Sequence, residues 1–398
     1  MAVSRTSPFY ILILASLMTL GPMGIDMYLP SLPAMISHFG TDTATGQLTM
    51  SVFMLGFGGG QIVLGPITDR LGRKPVMVTG LVLFGLASLL CAFAQSIETL
   101  LLSRFLHGLA GASGPVISRA IVRDSFDGAR AASLFGYLAA LMAVVPMVAP
   151  ILGGILHEAF GWQSIFLAMV GLAALVLLTY GFGMAETLPP KKRITLRLST
   201  IIANWRTLLG DSYFLGFIAC TALLMGALMS FVTSASVVFQ SVFALSPQAF
   251  SYFFAAMVSG FIIGSLTTGR LSKVIGANRL VTVGIGLVFA GACNQIIFEL
   301  FLTPSLPSLM VGQIAVSLGF GLASPQLNAR AMQNYPHMAG TASSLIGSSQ
   351  MAMAALAAFV TGALFDGTTI ALSLMTGFFG ISSVLVWAVK IRPSLAAK

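Results

Sequence analysis

Long apolar runs with almost no charge follow one another along nearly the whole chain, and this leaves few folds open. By length and lack of charge they lie near residues 8–28, 46–66, 76–95, 99–120, 134–156, 161–184, 211–236, 247–268, 279–301, 306–328, 338–363 and 369–389. Crossing a bilayer as a helix takes about 20 apolar residues, so each run is long enough to span. The 398 residues hold twelve spans and short connections, with little left for a separate soluble domain. Only 8% of the residues are charged, against about 25% in an ordinary globular chain. A soluble protein is excluded, and an all-α membrane protein is expected.

The net charge is +9, and its meaning depends on where the charges sit. With the N-terminus inside, nineteen of the 20 Lys and Arg fall in cytoplasmic segments or at their edges. The clusters are Arg70/Arg73/Lys74, Arg119/Arg123/Arg130, Lys191/Lys192/Arg193/Arg197/Arg206 and Arg270/Lys273/Arg279. The outer loops carry only Asp42, Glu98, Glu158 and Asp366, with Glu299 near an outer helix end. This positive-inside bias places both termini in the cytoplasm and requires no nucleic-acid partner. Arg5 ahead of an apolar run imitates a signal peptide, yet no small-x-small cleavage site follows, so the run is expected to remain as the first span.

Catalytic chemistry finds little material. Cys91, Cys220 and Cys293 lie inside apolar runs and His38, His107, His157 and His337 are scattered, so neither a disulfide framework nor a metal site can be built from them. No Lys follows a Gly, which removes the G-x-x-x-x-G-K-[ST] phosphate loop. No nucleophile, base and orienting group can be assembled, so an enzyme is not expected.

The polar stretch from Glu186 to Asp211 divides the spans six and six, giving expected units at 1–185 and 211–398 with a cytoplasmic linker at 186–210. A repeat supports the division. Gly65-Pro-Ile-Thr-Asp69-Arg70-Leu-Gly72-Arg73-Lys74 follows the second span and Gly269-Arg270-Leu-Ser-Lys273-Val-Ile-Gly276-Ala-Asn-Arg279 follows the eighth, each with Gly at its first and eighth positions. A repeat at equivalent places points to two pseudo-symmetric six-helix bundles with a ligand site near the midplane.

The segment Gly65 to Lys74 resembles the G-x-x-x-D-R-x-G-R-R/K loop of the major facilitator superfamily. Arg104-Phe-Leu-His107-Gly108 is similar to its R-x-x-Q-G motif, with His in place of Gln, and Pro146-Met-Val-Ala-Pro150-Ile-Leu-Gly153-Gly154 resembles its fifth-helix antiporter motif, with Ala149 for the first Gly. Ile25 to Pro30, Gly161 to Phe166, Glu186 to Pro190 and Pro336 to Ser343 are similar to the bicyclomycin and chloramphenicol-resistance (Bcr/CflA) branch of drug:proton antiporters. The resemblance implies a twelve-helix major facilitator fold that exports small hydrophobic antimicrobials across a bacterial inner membrane by alternating access, with protons as the coupling ion, no other cofactor, and a monomer in the bilayer. A proton-coupled exporter of amino acids, dipeptides or sugars, and a membrane sensor or scaffold that transports nothing, are the rival readings.

Only Asp26 and Arg104 are charges well inside spans. Ionisable groups at membrane depth are costly and functional by default. Desolvation penalises the charged form of a carboxyl, which makes Asp26 the expected proton carrier, although Pro30 and Pro33 leave open a plain helix-end role. Arg104 keeps its proton and is expected to bias Asp26 or a polar substrate, or to tie helices together. The resemblance implies that Asp69, Arg70 and Arg73, with Gly65 and Gly72, form a gating lock, with Arg123 or Asp124 as partner; Lys273 in the second copy forbids the same lock there. Pro146 and Pro150 with Gly153 and Gly154 are expected to make a bent, closely packed helix. In the second span, Met50, Met54 and Gln61 share a face suited to an adaptable cavity wall, while Gly56 and Gly60 lie opposite and suit close packing. His107 joins the cavity-wall residues from the fourth span, and the resemblance implies Tyr137, Met142, Met229, Phe231 and Gln350 as further substrate contacts, because they lie on spans that line the cavity in the family.

Overall fold

The computed structural model describes residues 7–193 and 198–393, so Arg5 and Arg197 of the basic set lie outside the described residues. Twelve helices are long and apolar enough to cross a membrane: Pro8–Phe39, Thr43–Leu71, Arg73–Ala92, Ile97–Ser125, Ser133–Phe160, Gln163–Gly183, Ser212–Val242, Pro247–Ile275, Ala277–Phe301, Leu306–Gln333, Pro336–Ala363 and Ile370–Ile391. They are called the first to twelfth spans below. Among the described residues no strand forms. Several helices outrun their apolar windows, the second through Asp69 and Arg70 and the fourth through Arg119 and Arg123. Charged residues end the apolar window but do not break a helix, which continues into the polar boundary.

Two spans divide into separate α-helices, and proline accounts for both breaks. In the first, regular helix runs over Pro8–Asp26, one tight turn covers Leu29–Ser31, and a short helix follows over Leu32–Phe39. Pro30 has no N–H for the Asp26 carbonyl, and Pro33 has none for that of Leu29. The fourth span turns at Ala112 between Ile97–Gly111 and Ser113–Ser125, where Pro115 cannot donate to Gly111.

Contacts gather the chain into two compact units, one of Met1–Leu29 and Val52–Arg197, the other of Pro30–Ser51 and Leu198–Lys398. In the first unit the first span packs on the fifth, and the third on the fourth and sixth. The second meets the fourth so closely that a Cβ at Gly56 would lie 2.2 Å from the Phe105 carbonyl oxygen. In the second unit the seventh span packs on the eleventh, the eighth on the tenth, and the ninth on the tenth and twelfth. Adding six to each span number converts one set of pairings into the other, which is the expected pseudo-symmetry. The repeat takes part in it: Gly72 and Gly276 both adopt positive φ, 104° and 84°, at the N-caps of the third and ninth spans.

Burial runs opposite to that of a soluble protein. Leu83, Leu86 and Leu90 stand half exposed along the third span, whereas Ser88, Arg104 and His107 are fully enclosed. The first unit's interior is filled by Leu14, Leu17, Met77, Phe84, Ile117 and Met169. An apolar exterior is what hydrocarbon chains solvate.

Candidate functional site

The break in the first span is where its charge sits. Asp26 ends the helix Pro8–Asp26 and is 6% exposed. No hydrogen bond or ion pair engages its carboxyl among the described residues, and Arg104 is not its partner. Arg104 is fully buried and reaches the same helix end by another route: its Nη1 donates to the Gly24 carbonyl at 2.9 Å, in the last turn before the break. A cation at a helix C-terminus meets the negative end of the helix dipole. The guanidinium carbon lies 4.4 Å from the Tyr28 ring centre and 4.3 Å from that of Phe53, so two aromatic faces stand in for water.

His107 extends this centre. Arg104 Nη1 lies 3.2 Å from His107 Nδ1, and His107 Nε2 lies 3.0 Å from Ser88 Oγ. The Ser88 hydroxyl donates to the Phe84 carbonyl at 2.8 Å. A hydroxyl has one hydrogen, so Ser88 accepts from Nε2–H, and Nδ1 is left to accept from Arg104. His107 is therefore a neutral relay, and every hydrogen bond from Arg104 to the Phe84 carbonyl points one way. The antiporter motif abuts the same break: a Cβ at Gly153 would stand 1.9 Å from the Met27 carbonyl oxygen, so only glycine lets the fifth span touch the first there. Gly154 and Pro150 are also buried, and the fifth helix runs unbroken through Pro146 and Pro150.

The loop from Gly65 to Lys74, where a gate is expected, is a second polar centre. Arg73 binds two carboxylates, Asp69 through Nη1 and Asp124 through Nε at 2.8 Å. Of the two partners expected at the end of the fourth span, Asp124 is the one engaged. Arg70 is exposed, and Gly65 has nothing within 4 Å of a Cβ built on it. Glu186 completes the centre by accepting from the backbone N–H groups of Arg73 at 2.9 Å, Lys74 at 3.1 Å and Leu188 at 2.9 Å. It caps the third span and fastens the start of the linker to it. Burial pushes the Glu186 carboxyl up, but the amides of Leu188, Arg73, Lys74 and Thr187 outweigh burial and hold it below the usual glutamate range. In the second copy of the repeat no ion pair forms among the described residues, and Arg330 instead donates to the neutral Asn278 side chain.

The remaining expected contacts fall into two groups. Tyr137 is 63% exposed, while Met142 and Met229 are partly exposed. Met50, Met54, Gln61 and Phe231 are enclosed, Phe231 with its ring edge-on to Phe239 at 6.0 Å. Gln350 donates to Asn328 Oδ1 at 3.4 Å. Sequence reasoning missed the roles of Tyr28, Phe53 and Ser88 around Arg104. Tyr28 lies in a quoted motif and was within reach; contacts between faces of different helices leave no trace in sequence spacing.

Twelve apolar spans in two units of matching connectivity, with buried charges at a broken helix and an ion-paired loop between the second and third spans, accord with a multi-pass membrane transporter. The family model described as Major Facilitator Superfamily matches residues 14–358. An uncharacterised MFS-type transporter of Bacillus subtilis, YdgK, is 33% identical over 337 residues, 84% of each chain. A bicyclomycin resistance protein homolog of Haemophilus influenzae is 29% identical over 96% of each chain, and a chloramphenicol resistance protein of Pseudomonas aeruginosa is 30% identical over 83% of this chain and 78% of its own. Among solved structures, the nucleoside transporter NupG superposes with a TM-score of 0.77 at 13% identity, over 96% of this chain and 99% of that one. The chain belongs to the major facilitator superfamily and carries the motifs of its Bcr/CflA branch.

Proposed function

We propose that this transporter exports small hydrophobic antimicrobials, of the bicyclomycin, phenicol or broader multidrug kind, in exchange for protons, as a monomer in a bacterial inner membrane with both termini cytoplasmic. The observation that carries the reading is Asp26: a carboxyl nine-tenths buried at a helix break, with no partner to hold it charged. A buried carboxyl in that position is housed as the neutral acid and is released as the anion when its surroundings open to water. Proton and drug then exclude each other at Asp26, so proton binding from outside expels drug and deprotonation towards the cytoplasm restores affinity. The relatives with resistance names support the substrate class. One net charge moved per cycle supplies about 2.3 kcal/mol per 100 mV, enough for roughly fifty-fold accumulation.

The test is a drug-susceptibility panel of cells expressing the native chain or Asp26→Asn, with and without a protonophore. We expect native resistance to collapse with the protonophore, and Asp26→Asn to reach the membrane at normal levels yet give neither resistance nor drug-induced proton release. Full resistance in Asp26→Asn would overturn the coupling role.

A further inference from the structure

Three spans of the second unit carry polar groups that their own helices leave unsatisfied. Gln313 is fully enclosed, and neither of its amide atoms has a partner among the described residues. The same holds for Gln295 Oε1, Asn294 Oδ1 and the hydroxyls of Ser317, Ser373 and Thr376. Buried hydroxyls on helices commonly donate to the carbonyl four residues earlier, as Thr361 does to Ala357 and Ser230 to Gly226. Ser317, Ser373 and Thr376 do not. Buried polar groups are normally paired, and in a membrane the cost of leaving them bare is greater, so a concentrated unpaired set points to an occupant.

Flanking contacts set four of these residues on the ninth span and on the two spans, tenth and twelfth, that pack against it. The ninth and twelfth spans run antiparallel: the Glu299 carboxylate accepts from Thr369 Oγ1 at 2.8 Å on the outer side, and a Cβ at Gly380 would lie 2.9 Å from Ala292 further in. Gln295 falls between Ala292 and Glu299 on one helical face, and Ser373 and Thr376 fall between Thr369 and Gly380 on the opposing face. From the tenth span the Leu309 carbonyl accepts from Gln295 Nε2 at 3.1 Å, and Gln313 lies one turn below Leu309 on the same face. With its nitrogen committed to Leu309, Gln295 is left with an unpaired oxygen.

Six of the eight unpaired atoms among the described residues of these spans are oxygens, the other two being Gln313 Nε2 and, three turns further along the twelfth span, Trp387 Nε1. Amide and hydroxyl oxygens without thiol or imidazole are the ligands of a hard cation, and a set without a carboxylate favours a single charge. We propose that Gln295, Gln313, Ser373 and Thr376 form a sodium site inside the second unit, with Glu299 one turn outward as its counter-charge and entry side. The site is separate from Asp26 and uses none of the gating residues.

The experiment is equilibrium binding of radioactive sodium to the purified full chain, with ionic strength held by choline chloride. Saturable binding of about one ion per chain is expected, unchanged in Asp26→Asn and weakened about tenfold or more in Thr376→Val and Gln313→Leu, as loss of a ligand or its support commonly does. Ser373→Ala removes a single hydroxyl, should weaken binding in the same direction, and serves if Gln313→Leu does not fold. Absence of saturable binding to the native chain overturns the proposal and leaves the groups to ordered water. Binding lost in Asp26→Asn but kept in Thr376→Val overturns it as well, by moving the ion to the first unit.

Discussion

Histidine at position 107, where the family pattern has glutamine, shows how much a single side chain is constrained here. Its Nδ1 accepts from Arg104 and its Nε2–H donates to Ser88. A glutamine can do both with its two amide atoms, so the departure from the motif conserves the wiring. His107→Gln should therefore retain membrane level and resistance within about threefold, whereas His107→Leu takes away both bonds at about 1–3 kcal/mol for each buried group stranded. Thermal unfolding of the detergent-purified variants checks the ordering, and equal stability of the two would contradict the relay. Arg104→Lys keeps the charge but gives up the flat guanidinium between Tyr28 and Phe53 and its forked donors. It should express and fold yet transport poorly, read as drug efflux per molecule in the membrane. Asp26 and Arg104 were legible in the sequence because charge in an apolar run is conspicuous. That Arg104 addresses the Gly24 carbonyl in place of the Asp26 carboxylate was not, since backbone acceptors are invisible to residue type.

Among the elements, the loop between the second and third spans depends on one backbone conformation and one carboxylate. Gly72 holds φ 104° and ψ 160°, and a Cβ there would come within 2.5 Å of Glu186 Oε2. Gly72→Ala should cost about 1–3 kcal/mol in backbone strain alone and displace Glu186 from the start of the third span. Glu186 in turn anchors the linker, so Glu186→Gln should speed tryptic cleavage after Arg193 by about threefold or more, because protease reaches segments in proportion to how often they open. Acid should imitate that variant. The folded Glu186 carboxyl titrates below its ordinary value, so its anchoring is complete above that ordinary value and is lost as pH falls through the lower, folded one. Cleavage should be flat between about pH 6 and 8, and a brief exposure below about pH 4 should loosen the linker in the native chain but change little in Glu186→Gln. Since trypsin is inactive there, an acid-stable protease provides the readout. Equal acid sensitivity in both would remove Glu186 from the anchor.

For the molecule as a whole, chain order and packing order differ. The twelve spans could be read directly, because length and lack of charge are local properties, and the repeat at Gly65 and Gly269 announced the pseudo-symmetry that the pairings display. Which segments pack together is decided by contacts distant in sequence. Pro30–Ser51 belongs to the second compact unit, where Gln47 Nε2 donates to Ser234 Oγ at 3.2 Å, a Cβ at Gly362 would lie 2.8 Å from Gln47 Oε1, and Gln240 donates to the Pro30 carbonyl at 3.0 Å. That unit is thus built from two pieces of chain on either side of the linker. If the gene is cut after Arg193 and the two fragments are co-expressed, the N-terminal fragment still carries Pro30–Ser51, so it should co-purify with a tagged C-terminal fragment and restore part of the resistance. The C-terminal fragment alone should be degraded or unfold at a lower temperature, having lost the partner of Ser234. Gln47→Leu in the N-terminal fragment should reduce recovery of the pair, with a cost of about 1–3 kcal/mol for a hydroxyl left buried and a bulky apolar group against Gly362. A C-terminal fragment that folds alone with the unfolding temperature of the pair would show that Pro30–Ser51 adds nothing to the second unit.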